Sequence, residues 1–278
     1  MIRTGEDYRR SIQDGREVWM NDEKVEDVTT HPSFKPIVDI RARMYDMAHE
    51  AEHQSLFAYQ DDETGELNPT FHKPPLVQQD WWDKRNAVDA LLHDVGGIVA
   101  RVGDEHVGEL WSLYDGQDVL DAMDPSFSEN IRRHVERATS RDPFHVSANT
   151  DPKGDRSKRP QDQDPDMLLR VVKETDSGLV VRGAKFETAA AYANQSFVKP
   201  TLANWGDSKL SDYAVGFICD MGAPRLKHIC RTGFVGRAPS RDYPLSNRFD
   251  EIDSLIIFDD VHIPWEDVLF YRHIDAVL

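Results

Sequence analysis

The hydrophobic repeat changes period near Asp142-Pro143, and this break limits the possible folds more than any other feature. Before it, apolar residues recur at three- and four-residue steps. Ile37, Ile40, Met44 and Met47 form one such stripe, and Val88, Leu91, Leu92, Val95 and Val99 form another, continued by Val107, Leu110, Trp111 and Tyr114. Gly96-Gly97 weakens the middle of that long pattern, and a further helix starting near Ser126 carries Phe127, Ile131 and Val135. After the break, a polar stretch from Asp151 to Asp166 gives way to short β-rich runs. These are Leu168–Val172, Leu179–Val181, Tyr213–Cys219, Leu226–Cys230 and Leu255–Phe258, with Asp176-Ser177-Gly178 as a hairpin turn. From Pro264-Trp265 a helical pattern resumes, placing Phe270, Ile274, Val277 and Leu278 on one face. The expectation is an α+β chain: an all-helical segment over 1–142, an antiparallel β segment over 143–265, and the start of a third, helical segment over 266–278. That last stripe needs another subunit or further helices to cover it.

Composition excludes several roles. The chain has 278 residues, with 33 Lys plus Arg against 50 Asp plus Glu, a formal charge of −17. So acidic a chain repels phosphate backbones and anionic lipid, which argues against nucleic-acid and membrane partners. It holds no apolar run long enough to span a bilayer and no signal-peptide core near Met1. Cys219 and Cys230 are too few for a disulfide framework or a four-thiolate metal site, and a reduced cytoplasmic protein is the expectation.

Four local patterns carry possible chemistry. His49-Glu50-Ala51-Glu52-His53 fits H-E-x-x-H, which on a helix would aim two imidazoles at one zinc ion and make a zinc hydrolase the remote alternative. The apolar stripe has faded there and a third ligand is missing, so a solvated helix end is the stronger reading. Asp151-Pro152-Lys153-Gly154-Asp155-Arg156 offers backbone donors and two cations for a carbonyl-rich ring or a phosphate, or is a charged surface turn. Gly183-Ala184-Lys185-Phe186-Glu187-Thr188 offers a hydroxyl beside a strand end, or is simply a strand entering a turn. The interleaved acids and aromatics from Asp242 to Glu251 and from Phe258 to Glu266 read mainly as structural corners held by buried ion pairs.

Taken in order, these motifs resemble the large oxygenase component of the 4-hydroxyphenylacetate 3-hydroxylase family. The resemblance is carried by Thr4-Gly5-Glu6-Asp7-Tyr8, Asp14-Gly15-Arg16-Glu17-Val18, Val25 to Pro32, Arg43 to Asp46, Asp151 to Ser157, Val180 to Lys185, the stretch from Tyr243 to Glu251, and Pro264-Trp265-Glu266. It covers essentially the whole chain. It implies an acyl-CoA-dehydrogenase-like fold with an N-terminal helical domain, a central β-barrel and a C-terminal helical bundle that forms tetramers. The bundle would be missing or cut off soon after its start.

The resemblance further implies a two-component monooxygenase. A separate NAD(P)H-flavin reductase supplies reduced FAD, bound non-covalently, and oxygen from O2 passes through a flavin C4a-hydroperoxide to the ring of a phenol. A non-catalytic interaction or regulatory remnant of the same family is the alternative. Lys153, Gly154, Asp155 and Arg156 resemble the loop along the flavin ring, and Thr188 the threonine beside it. Arg101 and Asp104 match a helical substrate motif, with Arg101 polarising the phenol.

Two departures bear on the substrate. Where the family has Arg-Ser-Pro-Asp-Tyr, this chain reads Arg101-Val102-Gly103-Asp104-Glu105, then His106, and an anionic Glu105 suits a carboxylate-bearing substrate less well. Ser147 stands at the position of a catalytic histidine. His145, two residues earlier and on the same side of a strand, is a substitute base or donor, while Ser147 can hydrogen-bond the flavin or the peroxide. Family members with an iron–sulfur cluster need a Cys and His ligand set that two cysteines do not supply.

Overall fold

The computed structural model describes residues 2–97, 104–155, 157–158, 162–201 and 208–274, with 104–107 and 208–209 as backbone only. Helices α1 (Gly5–Ser11), α2 (Lys35–Met47), α3 (Gln54–Phe57), α4 (Gln78–Val95), α5 (Asp104–Asp115), α6 (Gln117–Met123) and α7 (Pro125–Arg141) build the helical layer. The Thr4-Gly5-Glu6-Asp7-Tyr8 motif begins it for structural reasons. The Thr4 hydroxyl accepts from Asp7 N while the Asp7 carboxylate accepts from Thr4 N, a reciprocal cap that satisfies two free donors. Any Cβ on Gly5 would lie 2.6 Å from Ala42 O, so glycine lets α1 cross α2 closely. Gly96, in the left-handed conformation at φ +69°, ends α4 outright rather than loosening one long helix. Asp142, also left-handed, ends α7 where the sequence pattern breaks.

The strands are β1 (Glu17–Met20), β2 (Glu23–Val25), β3 (Ala58–Gln60), β4 (Leu67–Pro69), β5 (His145–Ala148), β6 (Arg170–Thr175), β7 (Gly178–Thr188), β8 (Gln195–Val198), β9 (Val215–Asp220), β10 (Leu226–Cys230), β11 (Asp253–Pro264) and β12 (Val268–Tyr271). They form a six-stranded sheet ordered β2-β1-β10-β11-β7-β6, a four-stranded sheet ordered β12-β9-β8-β5, and the β3-β4 ribbon. The Asp176-Ser177 turn joins β6 to β7, with Thr175 opposite Gly178 as expected.

Four expectations need correction. The first segment is not all helical: β1 pairs in parallel with β10, from Glu17 opposite Lys227 to Met20 opposite Cys230, and β2 extends the same edge. No closed barrel exists among the described residues, because β2 and β6 end one sheet and β12 and β5 the other. The antiparallel expectation also fails at two pairs, β1/β10 and β5/β8. Finally, the described residues after Pro264, 265–274, do not form the expected helix. A short 3₁₀ turn over Trp265–Asp267 leads into β12, where Phe270 pairs with Gly216 of β9. The backbone hydrogen bonds of the sheet override an apolar spacing that also fits a strand. Val277 and Leu278 lie outside the described residues.

Buried side chains from both layers form one core, with Tyr8, Phe34, Phe144 and Tyr192 at the junction. Arg16 explains another sequence motif. Its guanidinium, 4% exposed, donates to Ala191 O and Ala193 O at 3.0 and 2.8 Å and pairs with Asp14, tying the start of β1 to the turn after β7. The acid–aromatic corner is likewise structural, since the buried Asp250 carboxylate accepts from Arg231 Nη2 and Phe234 N, both at 2.6 Å.

His228, on β10, is wholly buried and touches Met221 O at 2.8 Å through Nε2. Burial first, and then the Arg16 charge, push its pKa down from 6.5 to about 4. Because the folded value lies below the unfolded one, its contribution to stability is complete above pH 6.5 and is lost as pH falls toward 4. A decline of up to ~3 kcal/mol is expected across that window. Urea unfolding at stepped pH measures it, and His228→Gln should flatten that part of the profile.

Candidate active site

Strand β5 carries two of the sequence candidates, His145 and Ser147. The pleat turns His145 and Ser147 to one side and Val146 and Ala148 to the other. His145 is 1% exposed and packs edge-on against His72, with ring centroids 6.4 Å apart. His72 sits on the 3₁₀ turn Thr70–His72, and its Nε2 lies 3.1 Å from Asp142 Oδ1. The Ser147 hydroxyl donates to Glu109 Oε2 at 2.7 Å. The other Glu109 oxygen pairs with Lys199 Nζ at 3.1 Å. Glu109 stands one helical turn after Glu105 on α5, so the two share a face of that helix. Lys199 directly follows β8, and its backbone N–H donates to Ala148 O.

The loop after β5 runs between β7 and the segment after β8. Phe186 N donates to Thr150 O at 2.8 Å, Thr201 Oγ1 donates to Asn149 O at 2.7 Å, and Asp151 N donates back to Thr201 Oγ1. Asp151 also accepts from Lys185 Nζ at 2.5 Å. Lys185 is 2% exposed, and burial above all, with Lys199 adding to it, pulls its ammonium pKa below the ordinary range against the opposing pull of Asp151. Lys153 is exposed on this loop. Gly154 is required by the chain's own packing, because a Cβ there would collide with the side chains of Gln163 and Met167. The Asp155 carboxylate accepts from Ser157 N and Oγ, which lowers its pKa and closes the turn.

Thr188 lies elsewhere on β7. Alternation puts Lys185 and Glu187 inward, and Phe186 and Thr188 on the outer face, where Phe186 is 41% exposed. The Thr188 hydroxyl donates to Asp253 across the β7/β11 pair. Asp104, Glu105 and His106 occupy the first turn of α5, and Arg101 and Arg156 lie outside the described residues. Sequence reasoning missed Glu109, Lys199 and the partner of Lys185. The one available signal was the four-residue step from Glu105 to Glu109.

The H-E-x-x-H spacing does not make a zinc site. Helix α2 ends at Met47, so His49 and His53 sit in turns. His49 Nε2 meets Arg3 O at 2.9 Å, whereas His53 Nδ1 meets Glu50, whose carboxylate also binds Arg43. Glu50, Glu52 and His53 do converge, without His49. The Arg43 cation already satisfies Glu50 and helps hold its pKa near 2. A cleft of 810 Å3 lies away from the β5 cluster, between Asp124, Arg133, Trp265 and Arg272.

Phe186 and Thr188 share the outer face of β7, and Lys153 is exposed on the loop after β5. The chain is 36% identical over 274 residues to the oxygenase component of 4-nitrophenol 2-monooxygenase from Rhodococcus sp, covering 96% of this chain and 51% of that protein. It is 31% identical to the 4-hydroxyphenylacetate 3-monooxygenase oxygenase component of Thermus thermophilus, covering 99% and 56%. A crystal structure of such an oxygenase component, complexed with FAD and 4-hydroxyphenylacetate, matches 99% of this chain and 56% of that one at 31% identity and a TM-score of 0.86. The chain thus spans about half the length of the curated relatives it matches. The model of the 4-hydroxyphenylacetate 3-hydroxylase N-terminal region matches residues 4–270, and this chain belongs to that family.

Proposed function

We propose that this chain serves a reduced-FAD-dependent aromatic hydroxylase that uses O2 on a phenol, with the reduced flavin delivered by a separate reductase. The carrying observation is the match of 99% of the chain, at a TM-score of 0.86, to the structure of an oxygenase component complexed with FAD and 4-hydroxyphenylacetate. Bound reduced flavin would supply the oxygen-activating chemistry. Lys153 and Arg156 would hold the flavin from the loop, Gly154 and Asp155 would shape that loop, and Thr188 would offer its oxygen to the ring edge. Ser147, on β5, would touch the phenol or the flavin. Arg101 would stabilise the oxygen of the phenol, with Asp104, Glu105 and His106 beside it at the mouth of α5. His145, enclosed with His72 and Asp142, would hold or move a proton one strand position further in. The dry core on both sides of β5 would keep water from the reacting atoms.

The same reading places the chain in the cytoplasm as part of a homo-oligomer, a tetramer by family resemblance. Cys219 and Cys230 are buried free thiols, which suits a reducing compartment, and no helix among the described residues is long and apolar enough to cross a membrane. The test supplies chemically reduced FAD, a panel of phenols and isotopically labelled O2. The expected product is an ortho-hydroxylated phenol carrying one labelled oxygen. Failure to bind reduced FAD, together with an unlabelled or absent product, would sink the reading.

A further inference from the structure

The polarity of the hydrogen bonds at Ser147 is fixed by groups that nothing in the family resemblance singled out. Lys199 Nζ is a donor only, and an ionised carboxylate is an acceptor only. The run therefore has one direction, from Lys199 into Glu109 Oε1 and from the Ser147 hydroxyl into Glu109 Oε2. The single Ser147 proton is committed to Glu109, and the hydroxyl has only lone pairs left to offer. Among the described residues, the other charged or titratable groups around this point are His145 on the same side of β5, His72 beyond it, and Lys185 of β7; the side chains of Arg101, Asp104, Glu105 and His106 lie outside the described residues. Lys185 is matched by Asp151 and His72 by Asp142, so neither reverses the Ser147 bond.

We infer that Ser147, held by Glu109 and Lys199, is a hydrogen-bond acceptor that selects the protonated phenol over the phenolate. Glu109 and Lys199 are positioning residues in this arrangement. The inference rests on the proposed function in one respect, that the phenol oxygen comes to Ser147. An acceptor there takes the O–H of a neutral phenol and opposes the lone pairs of the anion, so a bound phenol keeps its proton to higher pH than a free one. Arg101, proposed to stabilise the same oxygen, acts in the opposite sense, so the effect of Ser147 is the difference between the wild type and Ser147→Ala.

The test uses a nitrophenol, whose ionised form has its own visible absorbance, titrated with pH while bound to the whole chain. The probe should ionise about one pH unit higher when bound to the wild type than when bound to Ser147→Ala, which changes little volume, a tenfold stronger preference for the neutral form. Glu109→Gln gives the sharpest check. Lys199 can donate only to the amide oxygen, so the amide NH2 turns to Ser147, which must then accept and send its own proton outward. Relative to Ser147→Ala, the shift should reverse sign in that variant. The inference is overturned if the wild type binds no probe, if its shift relative to Ser147→Ala is absent or downward, or if Glu109→Gln shifts the same way as the wild type. Reduced-FAD binding is measured on the same samples. A retained probe shift without flavin binding sinks the hydroxylase reading alone, and flavin binding without the shift sinks this inference alone.

Discussion

Alanine at position 183 is expected to destabilise the fold by roughly 2–6 kcal/mol, combining left-handed backbone strain with overpacking. Gly183 sits in β7 at φ +128°, and a Cβ there would collide with the backbone of Leu168 and Leu169. That backbone cannot yield easily, because Leu168 bridges Ala184 and begins the chain's approach to β6. The matching control is Gly65→Ala. Gly65 also has a positive φ, +70°, but its Cβ would meet nothing within 4 Å, so only the conformational term, about 1 kcal/mol, should appear. Urea midpoints compared at equal slope decide the matter, and equal losses in the two variants would show that close packing at Leu168 contributes nothing.

Asp151→Asn should produce the second large effect. It removes the partner of Lys185, a cation 2% exposed in the sheet interior, and breaking such a pair from one side costs about 3–5 kcal/mol. The sign with pH follows from the direction of the Lys185 shift. Its folded pKa lies below the unfolded value of 10.5, so the unfolded chain binds more protons in between, and stability rises with pH up to that value. The asparagine variant should therefore regain stability on the alkaline side. The double variant Asp151→Asn/Lys185→Met should recover most of the loss at neutral pH, since no buried charge is left unmatched. A double variant as unstable as the single one would mean that the loop is held by Thr150, Thr201 and Phe186 rather than by this pair.

Both predictions concern residues within motifs that the sequence displayed without explaining. The Gly-Ala-Lys-Phe-Glu-Thr run was visible as a strand end with a hydroxyl. The structure assigns its glycine to a backbone crossing, its lysine to a buried pair, and its phenylalanine and threonine to the opposite face. The Thr-Gly-Glu-Asp-Tyr and Asp-Gly-Arg-Glu-Val motifs likewise marked family membership. Their physical roles are a helix cap, a close helix crossing, and an arginine that satisfies two carbonyls 175 and 177 positions away in sequence.

Local patterns were read correctly where the cause is local. Helices α2, α4 and α7, the Asp176-Ser177 turn and strands β9 and β10 all follow from apolar period and turn chemistry within a dozen residues. The errors arose where distant chain decides. Glu17–Val25 is too short and polar to announce two strands, and it becomes strand because the free edge of β10 offers it backbone partners. Phe270 begins an apolar spacing that suits a helix, yet β9 supplies the ladder that makes Val268–Tyr271 strand β12.

By itself the sequence determined the α+β class, the family and the stretch of chain that holds the candidate chemistry, because those rest on residue order and short-range periodicity. Only the tertiary structure decided that the sheets stay open among the described residues, that His49 and His53 diverge, that Thr188 turns away from Lys185, and that Ser147 gives its proton to Glu109. Hydrogen bonds and ion pairs join atoms that are close in space, and closeness between α5, β5 and the end of β8 exists only once the core has set those elements against one another.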